Sequence, residues 1–148
     1  MGDLSRNFSR SEFECKCGCG FFKENPLLIA TLQKIRDYAN RKSLNETDIP
    51  MFVNSGCRCA AHNAAVGGVE ERPDDPGSGS QHLYGRAADV RIPGWESERL
   101  LNLIKRMALE DRIYVGYAYK IDDTSVHIDV RIPQSATVRR WFPSSPKT

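Results

Sequence analysis

Three residues that commonly bind divalent metals stand out in this 148-residue chain: His82, Asp89 and His127. Two neutral imidazoles and one carboxylate form a donor set that suits zinc, and three protein ligands leave a fourth position open for water. Water bound there is acidified and becomes a nucleophile near neutral pH, while the metal polarises a carbonyl under attack. The chain has only three histidines, so few such sites can be built from it. The third, His62, lies in the Ala-rich segment 60–66, where a hydrogen-bonded surface or core histidine is the stronger reading. Taken singly, His82 and His127 are also more often structural than metal-binding.

A second set of reactive residues is the five cysteines: Cys15, Cys17, Cys19, Cys57 and Cys59. The odd count leaves at least one outside any intramolecular disulfide. Their Cys-x-Cys-x-Cys and Cys-x-Cys spacings are tighter than the usual Cys-x-x-Cys knuckle. Three states stay open: reduced, partly buried thiols, a disulfide from the N-terminal segment to the 57–59 loop, and a second, structural zinc. Of these the reduced thiols are favoured and the zinc is placed last.

The elements that position the first set follow from periodicity. Successive side chains of a strand point to opposite faces. In the strand expected over 125–132, Val126, Ile128, Val130 and Ile132 share an apolar face, while Ser125, His127, Asp129 and Arg131 share the other. In the strand expected over 87–92, Ala88, Val90 and Ile92 face the core, and Ala87, Asp89 and Arg91 point away. If these strands are neighbours, Asp89 and His127 meet over one point. His82 precedes Asp89 by seven residues, with Gly85 between them to supply a tight bend.

The remaining elements build a support. Ser9 or Ser11 caps a short helical turn. Pro26 opens a helix to about Arg41, with Leu28, Leu32, Ile35 and Ala39 at helical spacing. Residues 51–54 form a strand, and 60–66 a short helix ended by Gly67 and Gly68. The irregular stretch 69–80 is either disordered or a loop that rims a functional site. A second amphipathic helix runs over 95–110, with Leu100, Leu101, Ile104 and Met107 on its inner face. Strands over 113–120 and 125–132 form a hairpin, and Trp141 and Phe142 close the sheet or pack on its edge. The fold class is α+β, a small antiparallel sheet with helices packed on it.

Composition excludes several functions. Apolar residues make up 40%, charged residues 27%, and the formal net charge is +2, which gives no electrostatic case for nucleic acid. The basic residues toward the C-terminus (Arg131, Arg139, Arg140, Lys147) are a solvated surface, or a weak attraction to an anionic polymer such as a cell wall. No apolar run approaches the ~20 residues that span a membrane, and residues 1–6 do not begin a secretory signal. The length suits one domain over 1–148, with a Cys-rich segment 8–22 and a tail 133–148 as extensions. A monomer made in the cytoplasm is expected.

The run Ser80-Gln81-His82-Leu83-Tyr84-Gly85-Arg86-Ala87-Ala88-Asp89 matches the pattern Ser-x-His-x-x-Gly-x-Ala-x-Asp at every defined position. It resembles the signature of the zinc D-alanyl-D-alanine carboxypeptidase and murein endopeptidase family, which shares its fold with hedgehog signalling domains. Asn54-Ser55-Gly56-Cys57-Arg58, the following segment from His62 to Gly68, and Val126-His127-Ile128-Asp129-Val130-Arg131 resemble other parts of that family. So does the opening over 8–20. The resemblance implies a hedgehog/DD-peptidase-like fold and one catalytic zinc on His82, Asp89 and His127. It implies cleavage of amide bonds in peptidoglycan stem peptides, often beside a D-amino acid, with Arg58 neutralising a substrate carboxylate. Arginine suits that work because its fork pairs with a carboxylate bidentately. Ser80 bonds the substrate, orients the site, or caps a local turn.

One position departs from the pattern. Many relatives place a catalytic Asp or Glu three residues before the last zinc histidine, and here that residue is Thr124. Asp129, on the face of His127, is the first replacement, with an orienting role toward a ligand as its alternative. Asp123 in the hairpin is the second. Two functions therefore fit the sequence: a zinc metallopeptidase of the cell wall, with a phage or prophage lysin as one origin, and a non-catalytic zinc module that binds wall peptide or a protein partner.

Overall fold

The computed structural model describes residues 2–42 and 48–131. The strand end at Ile132, the aromatic pair Trp141–Phe142 and the tail basic residues Arg139, Arg140 and Lys147 lie outside the described residues. The fold is α+β: helices α1 (Arg10–Phe13), α2 (Pro26–Lys42), α3 (Ala60–Ala65) and α4 (Ser97–Leu109), and strands β1 (Phe52–Ser55), β2 (Ala87–Arg91), β3 (Tyr117–Lys120) and β4 (Val126–Asp129). A 3₁₀ turn, Gln81–Tyr84, precedes β2.

Local chemistry sets these elements. Asn25 accepts the Leu28 N–H at 3.0 Å through its side chain, and Pro26, which has no N–H to leave unpaired, takes the first position of α2. In α4 the buried residues Leu100, Leu101, Ile104, Met107 and Ala108 recur at helical spacing and form its inner face. The strands end sooner than alternation alone suggests. The hairpin partner of β4 begins only at Tyr117, because the Gly116 N–H turns to the Asp129 carbonyl at 2.9 Å.

The four strands are all antiparallel in the order β1-β2-β4-β3. One face of the sheet carries Ala88, Val90, Ala118, Val126 and Ile128, all buried, and it packs with α2 and α4 into a core that includes Leu32, Ile35, Leu100 and Ile104. Burying this face supplies the main driving force for the arrangement. The opposite face is where the register matters. Ser55 pairs with Asp89, Asp89 with His127, and His127 with Tyr119. A single row of side chains therefore crosses all four strands. Among the described residues, no helix is long and apolar enough to cross a membrane.

Candidate metal centre

Asp89 and His127 are directly opposed on neighbouring strands, and their side chains meet with His127 Nδ1 3.0 Å from Asp89 Oδ1. His82 arrives from the 3₁₀ turn. Ser80 caps that turn, its Oγ accepting the His82 N–H at 3.4 Å, and Gly85 ends it in the left-handed region at φ 71°. Any Cβ at Gly85 would also stand 2.5 Å from the Lys23 carbonyl oxygen, so the bend that returns the chain into β2 needs glycine. The turn sets His82 Nε2 3.2 Å from the same Asp89 oxygen. The two rings meet edge to face with centroids 5.3 Å apart.

The outer nitrogen of each ring is occupied. His82 Nδ1 lies 2.6 Å from the Gly56 carbonyl oxygen, which can only accept, so Nδ1 carries the proton and donates. His127 Nε2 lies 2.9 Å from Asp129 Oδ2 and donates to that carboxylate. In the neutral rings the inner atoms, His82 Nε2 and His127 Nδ1, then present lone pairs to a carboxylate oxygen. Three acceptors converging on one point repel one another unless a proton or a cation sits among them. Zinc bonds of ~2.0–2.1 Å imply ligand-to-ligand distances near 3.3 Å in a tetrahedron, close to the separations found. His82, Asp89 and His127 are therefore a donor set that fits a divalent metal.

Burial and charge agree with this picture. His82 and His127 are 2% and 5% exposed. Burial opposes a charge on Asp89, yet the hydrogen bonds and charges of His127 and His82 outweigh it and hold its carboxyl well below the usual range. Burial likewise disfavours the His127 imidazolium, but Asp129 and Asp89 outweigh it and push the ring above its ordinary value. A cation at this point takes over the role of those protons.

Asp129 is fully buried. Besides His127, it binds Arg131 through both oxygens, at 2.9 Å from Oδ1 to Nε and 2.6 Å from Oδ2 to the guanidinium terminus. Its carboxyl is held low by His127 and Arg131 against the cost of burial. It stands behind His127 and orients the ring. Asp123 is an exposed residue of the β3–β4 connection, and its carbonyl accepts the Ser97 N–H at 2.8 Å. Thr124 bonds Asp122, so the position three before His127 offers no carboxylate.

Arg58 reaches the site from the loop after β1. Its guanidinium is 3.4 Å from Asp89 Oδ2, 3.2 Å from Asn63 Oδ1 and 3.4 Å from Ser55 Oγ. It thus sits beside the second oxygen of the metal-facing carboxylate. His62 belongs to α3 and stands outside the three-residue donor set.

Sequence reasoning missed Tyr119. Its ring stacks on His127, 4.8 Å between centroids and 15° between planes, and makes one wall beside the ligand. Alternation held the signal, since Tyr119 pairs with His127 in the register. It also missed the Gly56 carbonyl, a backbone group that no side-chain pattern reports.

Residues 6–129 match a family model described as Peptidase M15. No curated protein and no solved structure is matched.

Proposed function

The chain belongs to the Peptidase M15 family, and from that premise we propose that it is a zinc-dependent peptidase acting on the stem peptides of peptidoglycan. One observation carries the reading: His82 Nε2, Asp89 Oδ1 and His127 Nδ1 converge with both ring tautomers fixed from outside. A bound zinc supplies an acidified water and a Lewis acid for the carbonyl.

The chain's own residues do the rest. Gly56 and Asp129 fix which ring nitrogen of His82 and His127 faces the metal position. Arg58 offers a fork of donors next to the metal pocket. In this proposal it takes the carboxylate of the stem peptide, which fixes the scissile bond beside the metal by a charge-assisted pair. Tyr119 bounds the pocket with an aromatic face. Asp129 serves as a positioning residue that acts through His127. A carboxypeptidase and an endopeptidase use this same layout and differ in whether the substrate carboxylate next to the cut is terminal.

A second reading rests on Asp129 and Thr124. With Asp129 committed to His127 and Arg131, and a hydroxyl in place of a carboxylate at Thr124, neither of these two positions supplies a carboxylate free to shuttle a proton, and Asp123 is left as the remaining candidate base. That favours a zinc module that binds wall peptide without cutting it. Incubating zinc-loaded protein with purified peptidoglycan, and reading released fragments by mass spectrometry, separates the two. The peptidase reading expects new termini that are absent with His127→Ala. Binding to the wall with no new termini supports the module instead.

A further inference from the structure

Four of the five cysteines meet at a second place in the fold. The Cys15 and Cys17 sulfurs are 3.4 Å apart, and each lies 3.8 Å from the Cys59 sulfur. The Cys19 sulfur joins them, with all four atoms within 4.8 Å of one another. Three come from a tight loop after α1 in which Gly18 and Gly20 take left-handed conformations (φ 87° and 83°). The fourth approaches from a segment 40 residues further along the chain, at the start of α3. Cys57 is not among them: its buried sulfur accepts the Lys23 N–H at 3.4 Å.

We propose that Cys15, Cys17, Cys19 and Cys59 bind a second, structural zinc. A tetrahedron of thiolates at ~2.3 Å from zinc has sulfur-to-sulfur edges of ~3.8 Å, which is the separation from Cys15 and Cys17 to Cys59. Two disulfides call for two close pairs, whereas these four sulfurs are mutually close. The surroundings suit thiolates. The Cys59 N–H donates to the Cys15 sulfur and the His62 N–H to the Cys59 sulfur, both at 3.4 Å. Backbone donors aimed at the ligating sulfurs orient them and spread their negative charge. Four protein ligands close the coordination shell, so the site is structural rather than catalytic. Binding displaces the thiol protons to solvent.

The site has a job in the fold. The described residues between α1 and α2 form no helix or strand, and a metal there ties them to the loop that holds the active centre. That loop carries the Gly56 carbonyl, which fixes His82, and Arg58, which adjoins Cys59.

The test is a cobalt titration of the whole, metal-stripped, reduced protein, followed by absorption. Two equivalents are expected, one of them giving the intense near-ultraviolet sulfur-to-cobalt charge-transfer band of a tetrahedral thiolate site. Cys59→Ser keeps an oxygen at the start of α3 and is expected to lower the count from two to one and weaken the band strongly. His127→Ala is expected to keep the band, and Cys57→Ala to keep both equivalents. If the wild-type chain, with five titratable thiols, takes up one equivalent and shows no such band, the proposal is overturned. Loss of the band in Cys57→Ala with its retention in Cys59→Ser overturns the ligand set. The wild-type titration decides the matter even if a variant folds poorly, and no arm depends on peptidase activity.

Discussion

Replacing Asp129 by Asn separates two roles for a carboxylate that the strand pattern places beside His127. The substitution keeps size and shape but removes the charge that holds the His127 Nε2 proton at 2.9 Å. As an orienting partner behind a metal ligand, its loss is expected to weaken zinc binding about 10- to 100-fold, or about 1.4–2.7 kcal/mol. It also leaves the Arg131 guanidinium without its countercharge. Arg131 is 40% exposed, so solvent screens part of that loss. A stability cost of about 1–3 kcal/mol lies between the values for surface and buried pairs. Removing a general base instead lowers the rate constant about 10²- to 10⁴-fold and leaves metal affinity alone. The assay is zinc competition against a chromophoric chelator, run beside turnover at saturating zinc. The structure predicts a raised zinc Kd, with activity largely restored by excess metal. An unchanged Kd with turnover still lost would refute the argument and return Asp129 to the role of base.

The other expectations are more local. Arg58→Ala removes a charge-assisted contact worth about 1.5–3 kcal/mol, so kcat/KM for a stem peptide should fall about 10- to 150-fold; equal rates on amidated and free-acid substrates in the wild type would contradict its assigned partner. Gly85→Ala forces a left-handed backbone and a contact with the Lys23 carbonyl, at a cost of about 1–3 kcal/mol, visible as a lower urea midpoint and weaker zinc binding; an unchanged midpoint would count against the bend as described. In metal-free protein the His127 value is raised above 6.5, so its contribution to stability is full below that value and is lost as pH rises through the folded value. Asp89 and Asp129 are lowered from 3.8, so theirs is present above 3.8 and lost as pH falls. Urea midpoints of the metal-free chain should therefore decline on both sides of the window between 3.8 and 6.5, and zinc should abolish the alkaline decline; a midpoint that rises with alkali would contradict this.

The core and half of the metal site could be read from alternation. Val126, Ile128 and Val130 against His127 and Asp129 is a period-two pattern that puts His127 on the face away from the core, and the structure makes β2 and β4 neighbours with Asp89 opposite His127. His82 could not be placed this way, because it sits on a 3₁₀ turn where no strand parity applies; the signature from Ser80 to Asp89 supplied it. Asp129 shares a face with His127, but its capture by Arg131 depends on side-chain geometry that parity does not report. The cysteines were the hardest to read. Cys-x-Cys-x-Cys shows three sulfurs in one loop, yet the fourth of the cluster is that of Cys59, and the packing of α1 against β1 brings it there. The thiols are free, as the favoured reading had them, but spacing within one segment does not reveal a neighbour from another, so their gathering into one cluster could not be read.

The most direct test of the central claim is anomalous diffraction from crystals of the zinc-loaded protein, collected above and below the zinc edge. The expected result is an anomalous peak bonded to His82 Nε2, Asp89 Oδ1 and His127 Nδ1, with His127 Nε2 still on Asp129 and a solvent oxygen in the fourth position. Zinc bound through His127 Nε2, or no peak among these three residues, would contradict it.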